Sequence, residues 1–138
     1  MSKFYAVIDT NVIVSALLKA DSVPGTLLEL VFNGMIIPIY NDEIIREYSE
    51  VLRRPKFHIT DKETNTIIES IKNNGKMLSR KLATEELPDP KDIVFYEVTL
   101  TGRDEYDARL ITGNTKHFPN KEFIVTPRQM LEIIIENS

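Results

Sequence analysis

The chain opens with an apolar run that ends on a carboxylate and turns at once into an amphipathic helix: Phe4-Tyr5-Ala6-Val7-Ile8-Asp9-Thr10-Asn11-Val12-Ile13-Val14-Ser15. Residues 3–8 read as a buried strand, and residues 12–19 as a short helix with apolar side chains at 13, 16 and 17, a face that position 20 can extend. A strand followed directly by a helix favours a parallel sheet, since parallel neighbours need a crossover connection. The same junction puts Asp9 at a strand's carboxyl end, a common ligand and metal position in open α/β sheets. A plainer role competes with that one. Asp9, Thr10 and Asn11 all carry side chains that can cap a helix, so the residue type alone leaves both roles open.

The alternation continues along the chain. Pro24 and Gly25 start a helix over about residues 26–33, stopped by Gly34, and residues 35–40 form the next strand. Asn41 or Asp42 caps a longer helix running to about Arg54, where Pro55 prevents continuation. Thr60 with Glu63 forms a capping box for a helix to Asn74 that Gly75 ends, and Thr126 with Gln129 repeats the pattern for the final helix. Residues 77–82 read as a short strand or extended segment whose direction and pairing are open. Leu87-Pro88-Asp89-Pro90-Lys91-Asp92 is a turn leading into a helix through about Leu100, and residues 109–112 and 122–125 are the remaining short strands. The result is an α/β chain with a mainly parallel, roughly five-stranded sheet.

With 138 residues, 42% of them hydrophobic, and no repeat, low-complexity tract or linker, residues 1–138 read as a single domain with one core. The chain has no cysteine, which excludes disulfides, thiolate metal sites and a cysteine nucleophile and leaves oxygen and imidazole ligands. It lacks a basic segment followed by a long apolar stretch, and no apolar run approaches the roughly 18 residues that span a bilayer, so a cytoplasmic protein without a membrane partner is expected. A formal net charge of −4 argues against a simple nucleic-acid binder, though not against an enzyme that holds RNA briefly. Two basic clusters, Arg53, Arg54 and Lys56, then Lys72, Lys76, Arg80 and Lys81, read as solvated helix C-termini, where cations suit the dipole.

Further acids fall where they could join Asp9. In the helix over residues 42–54, Ile44, Ile45, Tyr48, Val51 and Leu52 mark the buried stripe; Glu47 borders it, while Glu43 and Glu50 turn toward solvent. Asp89 and Asp92 flank Pro90 as an N-cap and a first-turn carboxylate. If the sheet is parallel, their loop shares the carboxyl-end rim with Asp9. Carboxylates gathered at about 5 Å repel by about 3 kcal/mol per pair at an effective dielectric near 20, a cost that a divalent cation offsets. Oxygen ligands that leave water in the coordination sphere suit Mg²⁺ or Mn²⁺ better than zinc.

Taken in order, these segments resemble the PIN domain family, small metal-dependent nucleases of which many are toxins of toxin–antitoxin pairs. The resemblance covers nearly the whole chain. It rests on Asp9-Thr10-Asn11-Val12 after the first strand, Glu47 within Ile44-Ile45-Arg46-Glu47-Tyr48, Asp89-Pro90-Lys91-Asp92 before a helix, and Leu110-Ile111-Thr112-Gly113-Asn114 after a late strand. It implies a three-layer α/β/α domain in which Asp9, Glu47 and Asp92 match the metal-binding acids and Asp89 lies beside them. The departure is Asn114, where many PIN domains carry an aspartate; asparagine offers a carbonyl oxygen without negative charge, leaving three principal carboxylates. Thr115-Lys116-His117-Phe118-Pro119 looks like a loop found there in some bacterial PIN subfamilies, and Lys116 or His117 is either a phosphate contact or a plain surface residue.

The activity so implied is hydrolysis of RNA phosphodiester bonds, with Mg²⁺ or Mn²⁺ held by Asp9, Glu47 and Asp92, and Asn114 as a further donor. Thr10, Asn11 and Thr112 would orient ligands or phosphate, with Ser15 a weaker candidate for that role. The implied partners are an RNA substrate, a small antitoxin protein and a second copy of the chain. The alternative is a catalytically weakened PIN-like module that binds RNA or a protein partner. Two other classes fit the residues less well. A haloacid-dehalogenase-like phosphatase needs an acid two residues after the first aspartate, where this chain has Asn11, and a phospho-receiver domain needs an acidic pair after the first strand.

Overall fold

Five parallel strands form the centre of the molecule in the order β3-β2-β1-β4-β5, with β1 at Phe4–Ile8, β2 at Ile36–Tyr40, β3 at Lys76–Met77, β4 at Arg109–Ile111 and β5 at Ile124–Val125. The helices are α1 (Thr10–Leu18), α2 (Val23–Phe32), α3 (Asp42–Leu52), α4 (Asp61–Asn74), α5 (Ile93–Glu105) and α6 (Pro127–Glu136). This computed structural model describes residues 3–137, so Met1, Ser2 and Ser138, which the single-domain expectation includes, lie outside the described residues.

β1 and β2 are buried along nearly their whole length, as continuous apolar strands covered on both faces should be. α5 lies along β1, β2 and β4 as one outer layer. α2 packs on β2 with α1, α4 and α6 gathered around it in the other layer, and α3 touches α1, α4 and α5. The architecture is three-layer α/β/α. Its core includes the fully buried Ile13, Ile36, Ile39, Ile44, Leu52 and Leu110, each contributing about 1.5–3 kcal/mol by leaving water. Among the described residues no helix is long and apolar enough to cross a membrane.

Strand order decides one rival reading. Receiver domains wind their sheet 2-1-3-4-5, whereas this chain steps outward from β1 through β2 to β3 and then returns to β4 on the other side of β1. The direction of winding therefore reverses between β1 and β4. The carboxyl ends of those two strands flank the crevice in which open α/β sheets bind ligands.

Local signals are realised with small shifts. Asn41, not Asp42, caps α3 by accepting from Ile44 N–H at 2.9 Å, and both capping boxes are formed. α1 begins at Thr10 because Asp9 takes the N-cap position, and α2 begins at Val23 because the Ser22 hydroxyl accepts from Gly25 N–H at 3.1 Å. Gly34 has φ 85°, a conformation that glycine adopts without strain. α5 continues five residues beyond the expected end at Leu100, to Glu105. Gly102 lies inside it for want of space: a Cβ there would meet the Ala108 Cβ at 2.8 Å. The segment after Met77 is not a longer strand: β3 is Lys76–Met77, parallel to β2, and Leu78 N–H adds one bond to the Tyr40 carbonyl.

Candidate active site

Asp9 follows β1, and Thr112 follows β4, so the two meet across the crevice by register alone: Ile8 pairs with Ile111, one residue before each. The Thr112 hydroxyl donates to Asp9 Oδ2 at 2.8 Å, and Thr112 is fully buried while Asp9 is 8% exposed. Asp9 sits at the N-cap of α1, yet its side chain makes no capping bond. Burial raises its carboxyl pKa above the ordinary 3.8, and the Thr112 hydroxyl, the Thr10 and Asn11 amides and the nearby His117 offset part of that rise.

α3 brings Glu47 to the same place. Its neighbour Tyr48, fully buried on the apolar stripe, donates its hydroxyl to the carbonyl of Ile8, the last residue of β1. That bond ties α3 to the strand end, and burial pushes the Tyr48 phenol well above its usual range, so it remains a donor. Glu47 Oε2 accepts a hydrogen bond from the buried Thr10 hydroxyl. Burial raises the Glu47 carboxyl, the Thr10 bond lowers it and the charge of Asp9 raises it again.

The third acid arrives at the entry to α5. Pro90–Asp92 form a 3-10 turn in which Asp89 is the cap, its Oδ1 accepting from Lys91 N–H at 2.9 Å. Asp92 occupies the N-cap of α5 without a side-chain capping bond. Its carboxyl is pushed up to about 6, first by burial and then by the charges of Asp9 and Asp89. His117 Nδ1 lies 3.3 Å from Asp92 Oδ2, and His117 Nε2 lies 2.9 Å from the Asn114 amide nitrogen. The ring thus lies between the Asp92 carboxylate and the Asn114 amide.

Asp9, Glu47 and Asp92 therefore share an electrostatic neighbourhood, with Asp9 influencing the other two. Asn114 joins through His117 and through its own N–H, which donates to the Thr112 hydroxyl at 3.0 Å. Asn11, Lys116 and Ser15 are exposed. Among the described residues no three acidic or imidazole groups are drawn together tightly enough to hold a metal ion as they stand. Each acid is instead turned to its own partner: Thr112, Thr10 or His117. In donor chemistry the set fits a hard divalent cation, because it offers carboxylate oxygens, a free asparagine carbonyl and raised carboxyl pKa values that a positive charge would relieve.

Sequence reasoning left two roles unread. His117 was read as a phosphate contact or a plain surface residue, and nothing in the sequence placed it against Asp92. Tyr48 was placed on the apolar stripe; the signal was its hydroxyl, which needs a partner when buried. The second basic cluster needs correcting in part. Arg53 caps the C-terminus of α3 and Lys72 lies in the last turn of α4, but Arg80 and Lys81 lie outside any helix and pair with Glu97, Glu43 and Asp104.

The chain is similar to an uncharacterized protein of Methanocaldococcus jannaschii, with 37% identity over 54 residues, 39% of this chain and 35% of that protein. The aligned stretch thus spans about a third of the relative's length. No solved structure matches the chain. A family model described as PIN domain matches residues 5–116, an interval that begins in β1 and includes Asp9, Glu47, Asp92 and Asn114. With that match across most of its length and a parallel sheet enclosed by two helical layers, the chain belongs to the PIN domain family.

Proposed function

We propose that this chain is a metal-dependent endoribonuclease that hydrolyses RNA phosphodiester bonds, acting as the toxin of a toxin–antitoxin pair. PIN domain proteins are generally nucleases and typically use divalent metals such as Mg²⁺ or Mn²⁺. The observation that carries the reading is Asp9: a buried carboxylate at the reversal point of the sheet, beside Glu47 and Asp92, whose carboxyl pKa values burial raises first and the charge of Asp9 raises further. Asp9, Glu47 and Asp92 would hold the cation, with the Asn114 carbonyl as a further donor. The chemistry it supplies when bound is activation of water and stabilisation of charge on the phosphorus oxygens.

The chain's own groups prepare the site. Thr112 and Thr10 fix the orientation of the Asp9 and Glu47 carboxylates by donating to them, the role that partners of ligating groups commonly have. His117 holds Asp92 and Asn114 on the opposite rim. Exposed Lys91, whose charge reaches Glu47, and exposed Lys116 offer cations to the phosphates of a single strand, and Asn11 offers a neutral donor. An RNA strand, a small antitoxin protein and a second copy of the chain are the partners this function calls for.

One observation favours a second reading, a weakened module that binds RNA or protein without cutting it. The Asn114 amide faces His117, and this position brings no fourth negative charge to the site. Cleavage of labelled single-stranded RNA by purified protein with Mn²⁺ separates the two, with EDTA and Asp9→Asn controls in parallel. Products that need both the metal and Asp9 support the nuclease. Absence of products supports the binding module, and equal cleavage by Asp9→Asn marks a contaminating nuclease and removes the support for this site.

A further inference from the structure

Residues 78–89 contain no helix or strand, yet they deliver the turn that carries Asp89 and Asp92. Their tether is Glu97, a carboxylate of α5 only 3% exposed and outside the candidate site. Glu97 Oε2 accepts from Ala83 N–H at 2.8 Å, its carbonyl accepts from Lys81 N–H at 3.1 Å, and its Oε1 takes the Arg80 guanidinium from Nε at 2.8 Å. The same guanidinium reaches the other way, with Nη1 2.8 Å from Glu43 Oε2 on α3. Glu43 lies one helical turn before Glu47, and Glu97 lies in the second turn after Asp92. Arg80 therefore joins the two helices that carry the outer acids of the site.

A buried ion pair is poor evidence for stability, because well-packed apolar groups often do as well. A rigid planar fork between two carboxylates supplies direction instead. Direction is what a site shared between separate elements needs, and the two outer acids sit on different helices, Glu47 within α3 and Asp92 at the start of α5. We infer that Arg80, anchored by Glu97 and reaching Glu43, is a positioning residue that holds α3 and α5 at the spacing that keeps Glu47 and Asp92 facing Asp9. The inference rests on the nuclease reading above and assigns to that site a support from outside it.

Two variants of the whole chain test it. Glu43→Ala cuts the arm to α3 and removes an exposed acid, so folding is retained. The double variant Arg80→Met/Glu97→Gln removes the clamp without leaving a buried charge, and glutamine still accepts from Ala83 N–H. Each is compared with wild type by Mn²⁺ titration, by RNA cleavage kinetics and, in EDTA, by amide hydrogen exchange over residues 89–93. The expected result is circular dichroism like wild type, an Mn²⁺ affinity lower by about tenfold, and a reduced kcat with little change in the KM for RNA. Exchange over residues 89–93 should accelerate in the double variant. A merely structural pair would lower the melting temperature and leave the folded protein's Mn²⁺ affinity untouched. Folded variants that bind Mn²⁺ like a wild type that binds it overturn the clamp alone; a wild type that takes up no Mn²⁺ overturns the nuclease reading and the clamp together.

Discussion

Replacing Asp92 with asparagine isolates the electrostatic cost of assembling the acids. Burial, then the charges of Asp9 and Asp89, lift this carboxyl from 3.8 to about 6. Between those values the native protein keeps a proton that the unfolded chain has released, so stability falls as pH rises through the window. Below about pH 4 the group is protonated in both states and costs nothing; above about pH 6 it is ionised in both and the native state carries the full penalty. At 1.36 kcal/mol per pH unit, the ceiling is about 3 kcal/mol. The side chain is 17% exposed at an open rim, so solvent screening brings the expected cost to about 1–2 kcal/mol. Urea denaturation in EDTA reads it directly. The stability of Asp92→Asn minus that of wild type should rise by about 1–2 kcal/mol between pH 4 and pH 7.5, whatever fixed offset the substitution brings. At pH 7.5 with Mn²⁺ at about 100 times its Kd, the order should move back, because wild type gains about 2.7 kcal/mol that the variant forfeits. A difference that stays flat with pH in EDTA would refute the claim that Asp92 is held against its charge.

Three further outcomes follow from particular contacts. Thr112→Val removes the donor to Asp9 and the acceptor of Asn114 N–H; it should cost about 1–2 kcal/mol at neutral pH by thermal unfolding, raise the Asp9 carboxyl further and weaken Mn²⁺ binding. Asn114→Asp adds a fourth charge to the rim; it should destabilise the protein in EDTA while tightening Mn²⁺ binding in a calorimetric titration and speeding cleavage. Thr60→Ala breaks the capping box of α4 and should cost about 1 kcal/mol by urea denaturation without moving Mn²⁺ affinity, since the box lies on a helix that carries none of the acids.

Much of this arrangement could be read before any coordinates. The apolar runs at residues 3–8 and 35–40 announced buried parallel strands because they lack the alternation of a half-exposed sheet, and Thr60-Glu63 and Thr126-Gln129 placed two helix starts. Asp9, Glu47 and Asp92 were legible as acids next to element boundaries or apolar stripes. Their partners were less so. Thr10 and Thr112 were named as orienting residues, but which acid each would serve depended on the register of β1 against β4 and on the rotation of α3. Arg80 and Glu97 were invisible in their true role, since a pairing across 17 residues between an irregular segment and a helix leaves no periodic trace. The contact of His117 with Asp92 escaped for the same reason, as a short loop gives no face against which to judge its direction.

The choice of partner for each acid separates structural from candidate catalytic groups. Arg80 is divided between Glu97 and Glu43, and Lys81 goes to Asp104. Among the described residues Asp9 and Glu47 form no ion pair, and the only one Asp92 makes is with His117; Asp9 and Glu47 take hydroxyls instead. An arginine at the reversal point would have neutralised the site and lowered these carboxyl pKa values, as paired cations do. Hydroxyls orient a carboxylate while leaving its charge in place. The molecule thus settles its supporting acid with a guanidinium and leaves its central acids undercompensated, at the cost of the pH-dependent stability described above. That residual negative field, enclosed by α1, α3 and α5 at the ends of β1 and β4, is what a divalent cation would complete.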